Sequence, residues 1–306
     1  MLECIKDGWR YFQSVSSVAG SRHKACHLES NIVRRYHILE KGLVMPDFRP
    51  RFGIPIVKEL NQMLLNWGKS YSFHPQVATA WKVLEMYKNK HEELGVNIAD
   101  IYGEEWKIPS EYLGKGIGGV KALDSLTDIE REVLGRVMKT RSSVRNYDST
   151  RTLEEKVLQQ AVRLAITTPS VCNRQTWRVH AYSGKKAQQI LALQNGNRGF
   201  GQTIPTVLII TTDMRYFVDA IERYQPWIDG GMFSMSLLLS LHALGIGAIP
   251  LNWAVLNKRD KKLHDLVKLP YYERVIMFIG CGYPESNSSV TQSARREVSE
   301  ILDWNN

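Results

Sequence analysis

Between Gly230 and Asn257 the chain carries no Asp, Glu, Lys or Arg, and that stretch limits the fold more than any other feature. An apolar run of this length either crosses a membrane or lies buried inside protein. A spanning helix needs about 20 predominantly apolar residues in succession. Here Gly245, Gly247, Pro250 and Asn252 interrupt the run, and Ser234, Ser236, Ser240 and His242 dilute its first part. The expectation is a buried helix capped by Asp229 and running through Leu244, with Gly245 as the glycine just past its end. A buried strand near Gly247–Leu251 then follows. Met232, Phe233, Met235, Leu237, Leu238, Leu239 and Leu241 leave the helix apolar on nearly every side, which places it in a core or a subunit interface. No membrane partner is expected.

The flanking sequence supplies the rest of a mixed architecture. Thr152-Leu153-Glu154-Glu155 has the form of a capping box, and the apolar stripe Leu153, Val157, Leu158, Ala161, Val162, Ala165 predicts a helix to about Ile166, stopped by Pro169. Trp177–Ser183 alternates like a strand up to a turn at Gly184, and Val207–Thr211 is a short β-branched run of the buried kind. A polar helix around Lys258–Leu266 separates the strand near Gly247 from another at Arg274–Cys281. Short strands interspersed with helices predict an α+β sandwich over residues 137–306.

Residues 1–136 read as mostly helical. Ile32, Val33, Tyr36, Leu39 and Leu43 recur at helical spacing, Val57, Leu60, Leu64 and Leu65 suggest a second helix, and a third covers Val77 to Leu94. The glycine-rich stretch from Ile108 to Asp128 reads as a connection. Positive charge gathers in the second region: 21 basic against 14 acidic side chains in 137–306, compared with 19 against 17 before it. That favours anionic partners. Cys4, Cys26, Cys172 and Cys281 lie far apart and read as reduced thiols. The N-terminal stretch lacks the apolar core and cleavage site of a secretory leader, so the expectation is a cytoplasmic protein.

Several familiar spellings fail on context. Gly114-Lys115-Gly116-Ile117-Gly118-Gly119 matches a dinucleotide fingerprint, but KIPSEYL, not a hydrophobic strand, precedes it. Gly68-Lys69-Ser70 resembles the end of a phosphate loop, yet Met63 stands where its first glycine is required. His23, Cys26 and His27 have no fourth ligand in view, so no metal is expected. No hydrolase elbow is present, and no recognition motif accompanies the basic residues, so no nucleic-acid partner is expected.

Four segments share one logic. Arg141-Ser142-Ser143-Val144-Arg145 sets two arginines around hydroxyls, a combination able to grip phosphate. Pro169-Ser170-Val171-Cys172-Asn173-Arg174-Gln175-Thr176-Trp177 is a polar turn fenced by proline and tryptophan. Gly245-Ile246-Gly247-Ala248-Ile249-Pro250-Leu251-Asn252-Trp253 lets a flat ligand approach backbone. Ser293-Ala294-Arg295-Arg296 follows a Gly-Tyr-Pro turn at residues 282–284.

In this order the four resemble the FMN-dependent nitroreductase family, over about residues 137–306. Thr176 departs from the family's usual proline. The segment 37–53, HILEKGLVMPDFRPRFG, is similar to the N-terminal extension of nitroreductase-like proteins associated with surface-polysaccharide genes. The resemblance implies a three-layer α/β/α sandwich with a mainly antiparallel sheet, plus the helical N-terminal region. It implies a homodimer with FMN at the interface, using NAD(P)H to reduce a flat acceptor such as a nitroaromatic or quinone by ping-pong hydride transfer through flavin N5. Arg141, Ser142 and Ser143, with Arg295 or Arg296, would hold the phosphate, and Arg145 would lie at the flavin N1/O2 edge. Pro169, Ser170, Asn173 and Gln175 would come from the partner, Pro250, Leu251 and Asn252 would line the ring, and Asn197 would touch it. A flavin-binding accessory or sensor with little turnover, linked to surface-polysaccharide assembly, is the alternative.

Overall fold

The computed structural model describes residues 2–15, 23–102 and 106–305. Its centre is a four-stranded antiparallel sheet ordered β1-β2-β4-β3, built from β1 (Trp177–Ser183), β2 (Thr206–Asp213), β3 (Gly247–Asn252) and β4 (Glu273–Gly282). β2 is buried along its whole length, as its β-branched run requires, and pairs with β1 and β4. Successive residues point to opposite faces: Leu208 and Ile210 enter one core, Val207 and Ile209 the other. A bulge opposite Ile210 and Thr211 places Ile276 as an extra residue in β4.

Helices cover both faces. On one lie α7 (Glu155–Ala165) and α9 (Gln225–Ala243), whose Phe233 stacks on Trp177 at 4.8 Å. On the other lie α8 (Gly184–Leu191) and α10 (Asn257–Val267). The layering is therefore the expected three-layer sandwich, and its sheet is antiparallel throughout.

Two helix starts differ from expectation. α7 begins with Glu154 as its cap in extended backbone, so Glu155 is the first helical residue and not the third; the Thr152 hydroxyl lies too far upstream, and no side-chain cap forms. α9 begins at Gln225, four residues before Asp229, with Pro226 in its first turn. Asp229 is consequently internal and buried, accepting from Gln225 Nε2 at 2.8 Å. The helix does end where expected, with Gly245 in the left-handed region at φ 75°.

The N-terminal region contributes α1 (Leu2–Ser14), α2 (Lys24–Leu43), α3 (Ile54–Ser70), α4 (Pro75–Glu93) and the short α5 (Ala99–Tyr102). Helices α2 to α4 enclose a core of their own around Tyr36, Trp81 and Tyr87. The glycine-rich connection lies along α4: a Cβ on Gly116 would stand 2.4 Å from Ala78 O, and Gly119 N donates to Glu40. Close approach, not phosphate binding, explains those glycines. Beyond it a true capping box, Thr127 with Glu130, opens α6 (Asp128–Thr140). By contrast, α1 leaves its neighbours in sequence and joins the sheet region. Arg10 donates to Asp260 Oδ2 at 2.6 Å and to the carbonyls of Tyr271 and Glu273, while Glu3 caps Asn257 and Asp7 pairs with Arg274.

Candidate functional site

Where α6 ends, Arg141 turns the chain into an extended segment pinned beside β3. Val144 N donates to Ala248 O at 3.1 Å, and Ser143 bridges Ala248 in the parallel sense. Tyr147 anchors the far end, its hydroxyl donating to Val144 O and Gly280 O. This close contact depends on Gly247, because a Cβ there would lie 2.9 Å from Val144 Cγ1. Arg145 is exposed, with its guanidinium 5.6 Å from the Phe200 ring, and Thr203 Oγ1 donates to its carbonyl.

Among the described residues seven buried side-chain atoms lack a hydrogen-bond partner, and Arg141 Nη1 is the one that belongs to a charged group. Like Arg145, Arg141 pairs with no carboxylate among those residues. Its charge also acts on His242, whose pKa falls through burial first and Arg141 second. A half-buried guanidinium followed in the chain by the hydroxyls of Ser142 and Ser143 suits an anion with several acceptor oxygens.

The end of β3 completes this side. Pro250 is exposed on an edge strand, where its missing N–H costs no ladder bond; Leu251 is buried and Asn252 exposed. The carbonyl of Asn252 accepts from Gln194 Nε2 at 3.0 Å. Gln194 Oε1 accepts in turn from Gly196 N and Asn197 Nδ2. Asn197 thus spends its amide on its own turn, donating to Leu191 O at 2.7 Å as well. A continuous set of contacts joins Arg141–Arg145, Ala248 to Asn252, Gln194 to Asn197, Phe200 and Thr203. Gln194 went unnoticed in the sequence; the Gln-Asn-Gly-Asn turn at 194–197 was the available signal.

The turn at 169–177 lies elsewhere in the chain. Gln175 N donates to Ser170 Oγ at 2.9 Å, its side chain reaches Asn173 Oδ1, and Val171 N donates to Asp229. Cys172, Asn173 and Gln175 all have positive φ, near 50°. For non-glycine residues each such conformation costs on the order of 1–3 kcal/mol and must be imposed from outside. Arg174 imposes it: its side chain is fully buried and donates to Glu222, Tyr216 O and Val171 O. Helix α2 supports the same structure, with Ser30 donating to Tyr216 O and Glu29 accepting from the Tyr216 hydroxyl. Thr176, where the family usually has proline, is buried, and its carbonyl ties the turn to β2 by accepting from Asp213 N at 2.9 Å.

Within one chain, no hydrogen bond or ion pair joins Pro169, Ser170, Asn173 or Gln175 to the Arg141 side among the described residues. Arg295 and Arg296 are exposed in the C-terminal segment; Arg296 pairs with Glu300 and Arg295 donates to Ser293 O. A cleft of about 850 Å³ between α7 and β1 includes Gln175 and none of the other candidate residues.

Residues 138–196 and 185–283 match the model of the Nitroreductase family. A protein of Archaeoglobus fulgidus, provisionally named an NADH dehydrogenase/NAD(P)H nitroreductase, is 24% identical over 53% of this chain and 91% of its own length. One of Methanothermobacter thermautotrophicus with the same provisional name is 26% identical over 49% of this chain and 76% of its own. A Bacillus subtilis crystal structure, provisionally described as a nitroreductase, superposes with a TM-score of 0.51 at 15% identity, covering 57% of this chain and 100% of that one.

Proposed function

We propose, from the match of residues 138–283 to the model of the nitroreductase family, that the protein is an FMN-dependent NAD(P)H oxidoreductase that reduces a flat acceptor such as a nitroaromatic or a quinone. The buried Nη1 of Arg141 carries this reading, because it is a charged donor with no partner and a phosphate would supply the strong acceptor it lacks. The residues present therefore fit the cofactor. Arg141, Ser142 and Ser143 hold its phosphate, with Arg295 or Arg296 closing over it. Arg145 holds negative charge at the pyrimidine edge of the ring, since a guanidinium stays charged at any physiological pH. Pro250, Leu251 and Asn252 line the ring and exclude water. When bound, the flavin supplies hydride acceptance and release, alternating between donor and acceptor. The names of the two archaeal relatives support NAD(P)H as the donor.

The reading includes a homodimer, in which Pro169, Ser170, Asn173 and Gln175 reach the partner's flavin. Uncovered apolar surface supports it: α6 buries no residue and exposes Ile129, Val133 and Met138, and α9 exposes Ile228, Met232 and Met235 along its own length. Residues 137–306 form the flavin-binding part and 1–136 the helical region that braces the 169–177 turn. We assign the protein to the cytoplasm, where its four free cysteines stay reduced. Purified protein is expected to be yellow, dimeric by light scattering, and bleached rapidly by NADH or NADPH without oxygen. Colourless protein that takes up no FMN on titration refutes the reading. Flavin that binds but bleaches slowly assigns instead a binding role with little turnover.

A further inference from the structure

A second cavity, of about 560 Å³, opens between the turn after α8 and the first turns of α10. Leu193 and Asn195 line one side, and Ala254, Lys258, Arg259 and Lys262 the other. No carboxylate lines it, and none of the three cations has an ion-pair partner among the described residues. Arg259 reaches across to Asn195 Oδ1. Lys258 and Lys262 stand one helical turn apart on the same face, a spacing at which like charges destabilise a helix. Two acids lie near this end of α10 and both are occupied: Glu3 accepts from Asn257 N and Nδ2, each at 2.7 Å, and the buried Asp260 of the first turn pairs with Arg10, while neither lines the cavity. An anionic ligand would relieve the repulsion.

The cavity adjoins the candidate site. Gln194, between Leu193 and Asn195, holds the carbonyl of Asn252, and Ala254 follows Asn252 by two residues, a span of at most about 7 Å. A ligand whose flat end rested on Pro250–Asn252 could extend its charged remainder here. We propose that this cavity binds phosphate of the hydride donor, a nicotinamide dinucleotide; the inference rests on the flavin reading above. Either the pyrophosphate shared by both donors or the 2′-phosphate of NADPH supplies the charge.

The test compares wild type, Lys258→Gln/Lys262→Gln, and the charge-control Lys261→Gln, whose side chain does not line the cavity. Each full-length protein is titrated calorimetrically with ADP and with adenosine 2′,5′-bisphosphate, and then mixed anaerobically with NADH and NADPH. The double variant is expected to bind at least one nucleotide about tenfold more weakly, with a parallel rise in half-saturating donor, while Lys261→Gln behaves as wild type. Weakening for the bisphosphate alone assigns the 2′-phosphate, and equal weakening for both assigns the pyrophosphate. Equal affinity in wild type and double variant, or no binding of either nucleotide to wild type, overturns the proposal. Should the protein take up no FMN, the flavin reading fails by itself, and the calorimetry still decides whether the cavity holds a nucleotide phosphate.

Discussion

Replacing Arg141 by methionine should stabilise the flavin-free protein while destroying its response to flavin. The wild-type guanidinium keeps Nη1 buried without an acceptor, a defect worth about 1–3 kcal/mol when a polar group loses water and gains nothing. Arg141 is half-buried, so the lower end applies, about 1 kcal/mol. Methionine retains the apolar packing of the arginine stem and removes the stranded donor. For a chain of this size that corresponds to a Tm higher by about 2 °C. FMN at a hundred times its Kd adds about 2.7 kcal/mol to whichever protein binds it, which raises the wild type by about 5 °C and the variant hardly at all. The ranking should therefore reverse between flavin-stripped and FMN-supplemented samples in a thermal-melt comparison. A variant less stable than wild type without FMN, or one that gains as much from FMN, would refute the reasoning.

Three further outcomes test the supports of the site. Arg174→Met should cost about 3 kcal/mol in urea unfolding, because it strands the Glu222 carboxylate, which is mostly buried; adding Glu222→Gln should recover a measurable part. Gly247→Ala should cost about 1–3 kcal/mol and reduce bound flavin, because the new methyl meets the stiff Val144 side chain at about 3 Å. Glu273 gives a pH signature. Burial would raise its pKa, but hydrogen bonds from His180 and Thr211 outweigh burial and hold it below the ordinary carboxyl value. A depressed carboxyl contributes stability above its unfolded-state pKa and loses it as pH falls through the folded one. The stability difference between wild type and Thr211→Val, about 2 kcal/mol near neutrality, should accordingly shrink in urea titrations below about pH 4. A pH-independent difference would exclude the role given to Thr211.

The strands were readable because each announces itself locally. Val207–Thr211 is β-branched and charge-free, Trp177–Ser183 alternates, and the helix before Gly245 ends as a helix should. Helix α1 is not legible locally since its polar side chains find partners 250 or more residues away, as Arg10 does with Asp260 and Asp7 with Arg274. The capping box of α6 at Thr127 lies at the very end of the glycine-rich stretch, and the same spelling at Thr152 closes no box, so the pattern alone does not separate the two. On the Arg141 side, motif spacing identified the segments but not their fasteners. Gln194 binds Asn252 across 58 residues, and Arg174 binds Glu222 across 48, distances that no local pattern encodes. The unsatisfied Nη1 of Arg141 is likewise a property of packing and not of sequence.

The lacing of α1 into the sheet region determines where this chain can be cut or recombined. A shortened version starting at α6 would lose the guanidinium around which Asp260, Tyr271 and Glu273 are arranged. Asp260 also accepts from the Trp253 indole at 2.8 Å, so the damage would travel to the residue immediately after Asn252. Chimeras between relatives are therefore best joined between α1 and α2. A graft of α2 to α5 that leaves residues 2–14 in place keeps this clasp closed but must still carry Glu29 and Ser30 for Tyr216, whereas one that replaces the whole leading portion must also carry matching residues at positions 260 and 274.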